Sequence, residues 1–129
     1  MTIGGIGVDL VDIPEFSAQL DEPGTRFATS FTPGELGDSH HRRSYPARHL
    51  AVRWAAKEAV IKAWSNAMFG DPPVLGELIH RDIEVVTDAW GRPRIRLHGD
   101  IAQHLDQDKL HVSLSHDGDY AIAYVVLEG

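Results

Sequence analysis

The sequence has no cysteine, which excludes disulfides, thiolate nucleophiles and cysteine-ligated zinc. Cations are scarce as well: 12 Lys and Arg stand against 19 Asp and Glu, for a formal net charge of -7. A nucleic-acid binder needs clustered Lys and Arg to neutralise phosphates, so no nucleic-acid partner is expected and the few cations must act locally. Long apolar runs are missing too. No segment approaches a membrane-spanning length, and Met1 to Gly7 carries neither a basic start nor an apolar stretch of signal-peptide length. A cytoplasmic enzyme or adaptor without membrane contact is the expectation. The 129 residues are expected to form one domain, 1–129, small enough that self-assembly would help to cover its apolar surface.

What the chain has in quantity is helix-forming sequence in one stretch. From Pro46 to about Asn66 there is no internal Gly or Pro, and Ala, Leu, Glu, Lys and Arg dominate, which predicts one long helix centred on Arg53 to Trp64. Leu50, Trp54, Ile61 and Trp64 fall on one bulky face, expected to be the packing surface. Ala51, Ala55, Glu58 and Lys62 line another. Taken alone, Glu58 and Lys62 are an ordinary surface pair four residues apart, worth a few tenths of a kcal/mol. The small side chains of Ala51, Ala55 and Ala59 beside them would let another backbone or a ligand come close, which suits a metal-phosphate site.

Around this helix the patterning is that of strands and short helices. Ile3 to Ile13 reads as a strand whose glycines permit close backbone packing. Asp9 sits in it on the face opposite Val8 and Leu10, where a buried carboxylate needs a cation, a donor or water. An edge-strand Asp, or one bonded to backbone amides, is the equal alternative. Gly5-Ile6-Gly7 is not a dinucleotide fingerprint, because the third glycine and the following helix are missing. Pro14 opens a short helix from Glu15 to Leu20, and Thr32-Pro33-Gly34-Glu35 is a capping box that opens another. Asp38 to Ser44, with His40-His41, reads as a polar loop. Asp82 to Thr87 and Pro93 to Leu97 form a hairpin with a basic tip, and Gly99 to Leu105 a short helix. His111 to Ser115 and Tyr120 to Leu127 are strands joined by the turn His116-Asp117-Gly118-Asp119. The fold class is α+β, an antiparallel sheet packed against one long helix.

Ser113-Leu114-Ser115-His116-Asp117 holds serine, histidine and aspartate within five positions, as a hydrolase would. Neighbours on a strand point to opposite faces, however, and no glycine-flanked nucleophile elbow is present. One reading is a strand end bonded to its own turn. The functional reading has Ser113, Ser115 and His116 donating hydrogen bonds to a phosphate at the sheet edge.

Three blocks then point the same way: Gly5 to Ile13 (GIGVDLVDI), Trp54 to Ala63 (WAAKEAVIKA), and Val112 to Asp117 (VSLSHD) followed by Tyr120 to Ala123. In this order, with Arg26-Phe27, Phe31-Thr32, Asp82 to Val85, Gly91 and Pro93 between them, the chain resembles the holo-acyl-carrier-protein synthases, the small 4'-phosphopantetheinyl transferases. The resemblance covers nearly the whole chain. It implies transfer of 4'-phosphopantetheine from coenzyme A to a serine of an apo acyl carrier protein, or of a carrier domain in a larger synthase, with release of 3',5'-ADP. It implies magnesium held by Asp9 and Glu58 with pyrophosphate oxygens, and Lys62 stabilising the pyrophosphate or departing ADP. Glu58 or water on the metal is the candidate proton acceptor. Arg92, Pro93, Ser113, Ser115 and His116 are expected near the nucleotide end of coenzyme A. Arg53 is either a further phosphate contact or a structural salt bridge. The resemblance also implies a homotrimer with a site at each subunit boundary, one chain giving the carboxylates and its neighbour much of the nucleotide pocket.

The chain departs from this family in two places. A Gly-Thr-Gly turn usually follows the Lys-Ala block, whereas Trp64-Ser65-Asn66-Ala67-Met68-Phe69-Gly70 intervenes here. The first short helix, basic in relatives, reads Glu15 to Glu22 and is acidic, so either Arg26, Arg42, Arg43 and Arg48 compensate in attracting an acidic carrier, or the acceptor is a carrier domain of a larger synthase recognised mainly by apolar contacts. Two rival readings use the same residues: a metal-dependent phosphohydrolase acting on nucleotides, and a non-catalytic oligomeric module that binds carrier domains.

Overall fold

The computed structural model describes residues 2–23, 27–41 and 46–129, with the side chains of Ala28, His40 and His41 left aside. Its elements are β1 (Ile3–Asp12), α1 (Ile13–Asp21), α2 (Pro33–His41), α3 (Pro46–Ala67), β2 (Ile83–Thr87), β3 (Pro93–Leu97), α4 (Ile101–His104), β4 (Leu110–Asp117) and β5 (Tyr120–Glu128). The α+β class stands, but the strands form two antiparallel sheets where one was expected. β1, β5 and β4 make a three-stranded sheet in that order, and β2 and β3 a separate hairpin. Among the described residues no helix is long and apolar enough to cross a membrane.

Two boundaries differ from expectation for local reasons. β1 stops at Asp12, whose carboxylate accepts from the Glu15 amide at 2.9 Å and caps α1, so the helix starts at Ile13, ahead of Pro14. The expected loop at Asp38 is helical up to His41. Its third turn is held in place by Ser39, which is buried and donates to the Leu36 carbonyl at 2.8 Å. The basic residues Arg26, Arg42 and Arg43 lie outside the described residues.

β1 lies on α3 through its odd positions. A Cβ built at Gly5 would reach 2.1 Å from the Ala63 carbonyl oxygen, and one at Gly7 would reach 2.0 Å from that of Ala59. The two rises are commensurate: two strand residues advance about 6.6 Å and four helix residues about 6 Å, so glycines spaced by two meet alanines spaced by four. The alanine face of α3 is therefore a packing surface, a part that its bulky face was expected to play. Ala51, Ala55, Ala59 and Ala63 are fully buried, as are Ala121, Ala123 and Val125 of β5. The bulky face packs as well: Leu50 and Trp64 are buried, while Trp54 and Ile61 are only partly buried against the core.

A second fastening runs through Lys57 and Glu35, both wholly buried and 2.8 Å apart. The Lys57 ammonium spends its three protons on Glu35 Oε1, the His80 carbonyl at 3.1 Å and the Ile83 carbonyl at 2.5 Å. Glu35 accepts from the Thr32 amide and the Val85 amide, each at 2.9 Å, and its own amide bonds the Thr32 hydroxyl at 3.2 Å. The capping box read from the sequence is thus part of a buried ionic joint that ties α2, α3 and β2 together. Burial pushes the Lys57 pKa below its usual value, while Glu35 pulls it back up. Lys57→Met leaves a buried carboxylate without its cation and is expected to destabilise the fold by roughly 3–5 kcal/mol. Adding Glu35→Gln removes that bare charge and should recover part of the loss. Chemical denaturation of the two variants checks this, and a loss under about 1 kcal/mol for Lys57→Met would contradict it.

Candidate active site

The glycine-alanine contact decides where Asp9 goes. Asp9 follows Gly5 and Gly7 on the helix-facing side of β1, while Ile6, Val8 and Leu10 face outward and are exposed. Asp9 and Glu58 consequently line one open cleft of about 250 Å³ with Asp12, Glu15, Phe16, Gln19, Phe27 and Trp54. Lys62 is not among the residues lining it but bonds one that is, with Nζ 3.0 Å from Asp9 Oδ1 and 3.0 Å from the Val8 carbonyl. It is half exposed, whereas only 16% of the Asp9 side chain is accessible. The ion pair thus joins Lys62 to Asp9, and the Glu58 carboxylate instead meets His80 Nε2 at 3.3 Å.

The two carboxylates titrate in opposite directions. Burial raises the Asp9 pKa, its bond to Lys62 works against that, and the negative charge of Glu58 adds to the rise. The His80 hydrogen bond lowers that of Glu58, with burial opposing and the charges of His80 and Lys62 assisting. Among the described residues four carboxylates, those of Asp9, Asp12, Glu15 and Glu58, line the cleft. Such a lining repels a bare phosphate and attracts a cation. Among the described residues no three His, Asp or Glu side chains converge as a complete ion cage. Two carboxylates from separate elements, completed by substrate oxygens, are what magnesium takes, so the residues fit it.

The remaining expected residues are dispersed. Ser113 and Ser115 lie on the outer face of β4, in register with Tyr124 and Ile122, and His116 takes the opposite side, opposite Ala121. The structure therefore splits that trio across the sheet. Pro93 opens β3 and Arg92 ends the turn before it, bonding Asp88 through Nε at 2.5 Å and lying over the Trp90 ring at 5.1 Å. Arg53 is buried, with Nη1 3.3 Å from His49 Nδ1 and 3.4 Å from its carbonyl. None of these residues lines the Asp9–Glu58 cleft.

Sequence reasoning missed His80, which touches Glu58 and stacks on Trp54 with ring centres 4.4 Å apart. It lies 22 positions from Glu58, in a one-turn helix, and no spacing in the sequence flags that contact. It also missed Asp12 and Glu15, although the Asp-Ile-Pro-Glu stretch is legible as a helix start.

The sequence profile of the 4'-phosphopantetheinyl transferase superfamily matches residues 5–125. The chain belongs to that superfamily. A holo-acyl-carrier-protein synthase of Mycobacterium ulcerans is 62% identical over 128 residues, covering 99% of this chain and 98% of the relative. The Mycobacterium tuberculosis acyl carrier protein synthase structure is similar at a TM-score of 0.80 and 55% identity, over 98% of this chain and 97% of that one. A Chronobacterium ammoniagenes synthase–coenzyme A complex superposes at a TM-score of 0.90 with 45% identity, over 96% of each chain. The phosphopantetheinyl transferase resemblance carried by three short blocks, and the α+β class read from the patterning of the chain, agree with these matches.

The raised Asp9 pKa means that the folded chain holds this proton more tightly than the unfolded one, so the ionised carboxylate costs stability at neutral pH. Asp9→Asn is expected to melt at the same or a slightly higher temperature than the unaltered protein at pH 7. The gap should shrink as pH falls through the raised value and vanish below the ordinary 3.8. Melting curves across pH check this; a variant clearly less stable at pH 7 would contradict it.

Proposed function

We propose that this chain, read as one transferase domain, moves 4'-phosphopantetheine from coenzyme A to a serine hydroxyl of an apo acyl carrier protein or carrier domain. The observation that carries the reading is the acidic cleft, in which Asp9 of β1 and Glu58 of α3 face the same space. Superfamily membership supports it, and so do relatives that are named holo-acyl-carrier-protein synthases. A magnesium ion held by Asp9 and Glu58 would neutralise pyrophosphate charge and polarise the phosphorus under attack. The serine oxygen forms a bond to the phosphorus that bears the pantetheine arm, the bond from that phosphorus to the bridging oxygen breaks, and 3',5'-ADP leaves with the electron pair. Lys62 stands beside Asp9 with half its side chain exposed, placed to offset charge on the departing phosphate. The His80 hydrogen bond lowers the Glu58 pKa, which keeps this carboxylate in the ionised form that ligation needs, and the serine proton passes to it or to water.

The same reading includes a homotrimer with composite sites. The outer face of the three-stranded sheet presents Ile6, Val8, Leu10, Ile122 and Tyr124 side by side, all exposed. Such a face on a chain of this size is expected to be covered, and its occupant is a second copy of the chain. Ser113 and Ser115 share that face, so covering it brings them to a subunit boundary, and the composite-site reading sets the Asp9–Glu58 cleft of a neighbour against them. This accounts for functional residues that one chain keeps apart.

Incubation with coenzyme A, magnesium and an apo carrier protein, read by mass spectrometry, tests the transfer. The carrier should gain the phosphopantetheine increment, and Glu58→Gln should lower the rate at least about 100-fold. Coenzyme A breakdown without carrier would support the hydrolase instead, and full activity of Glu58→Gln would refute the metal reading. Composite sites predict complementation. An Asp9→Asn chain mixed in equal amounts with a chain carrying both Ser113→Ala and Ser115→Ala should regain about a quarter of full activity, because one boundary in four joins two intact halves. No recovery after subunit exchange would rule out shared sites.

A further inference from the structure

Resting on the metal reading above, we propose that His80 is a positioning residue that holds the Glu58 carboxylate toward the ion. A glutamate on a helix surface has three rotatable bonds and pays entropy to hold one pose. Glu58 is 29% exposed at the cleft edge, and His80 Nε2 is its partner, 3.3 Å from Oε1. With a proton on Nε2 the ring donates to that oxygen, which leaves Oε2 as the cation-facing one.

His80 is well suited to this because it is itself fixed. Its ring stacks on Trp54 at 4.4 Å and 17°, one turn before Glu58 on the same helix. Its carbonyl accepts from Lys57 Nζ at 3.1 Å, inside the buried joint with Glu35. Two adjacent residues of α3 therefore close on residue 80: Lys57 grips the backbone and Glu58 meets the ring. A partner that orients a ligating carboxylate typically governs metal affinity or activity by 10–100-fold.

The test uses the full chain with coenzyme A and Mn2+ as the probe ion. His80→Phe keeps a ring on Trp54 and deletes the donor, while His80→Gln restores an amide donor. His80→Phe should retain a melting point near that of the unaltered chain, bind Mn2+ about tenfold more weakly by electron paramagnetic resonance, and lose kcat with little change in the carrier KM. His80→Gln should regain most of both. Should His80→Phe fail to fold, the unaltered chain carries the test: Mn2+ should broaden the His80 ring resonances before those of His98 and His111, which bond Glu84 and Glu128. Wild-type Mn2+ affinity and kcat in a folded His80→Phe, or no such order of broadening, overturns the role of His80. Glu58→Gln separates the two levels: if it also binds Mn2+ normally, the metal reading falls with this inference, and if it loses the ion while His80→Phe keeps it, His80 alone is refuted.

Discussion

The backbone of β1 lies directly on the backbone of α3, and the rest of the molecule follows from that contact. At Gly5 and Gly7 there is no room for a Cβ, because the obstructing atoms are main-chain carbonyls of Ala63 and Ala59 that cannot swing away. Two side-chain-free residues against a run of alanines put strand and helix closer than any ordinary pairing allows. Asp9, the next residue on that side of the strand, is carried onto the helix beside the row that holds Glu58 and Lys62. Neither carboxylate would choose this neighbour. The packing of small residues imposes it, and the burial that comes with that packing is the main cause of the raised Asp9 pKa, the charge of Glu58 adding the least.

Consecutive residues of α3 then take opposite fates. Lys57 points into the interior and is fully satisfied by Glu35 and two carbonyls, so it is a structural cation. Glu58 points to the cleft and keeps its charge. The buried joint sets the rotation of α3 relative to α2 and β2, and with it the direction in which Glu58 leaves the helix. Fold stability and site geometry are carried by one turn of helix.

The parts of this arrangement legible in the sequence were those with a local signature. The long helix, the glycine strand, the capping box and the terminal hairpin are each written in spacing or turn chemistry, and their bounds hold to within a few residues. The three blocks pointed to the transferase superfamily, which the profile match bears out. What was not legible depended on distance in the chain. The partner of Lys62 is 53 positions away and that of Lys57 is 22 positions away, so the i,i+4 pairing of Glu58 with Lys62 was the only one spacing could offer. His80 was invisible for the same reason. The alanine face was read as room for a ligand or a backbone, and a backbone fills it. The division of the strands into two sheets depends on which edges meet, and alternation within a strand says nothing about that.

The proposed reaction sets an acidic cleft against a pyrophosphate, and a cation mediating between them is the central claim. Crystals grown with coenzyme A and Mn2+, measured at the manganese absorption edge, test it most directly. The account predicts one anomalous peak per cleft, within ligand distance of Asp9 and Glu58 and of the pyrophosphate oxygens. Coenzyme A bound with no peak between those carboxylates, or with the ion held elsewhere, would contradict it.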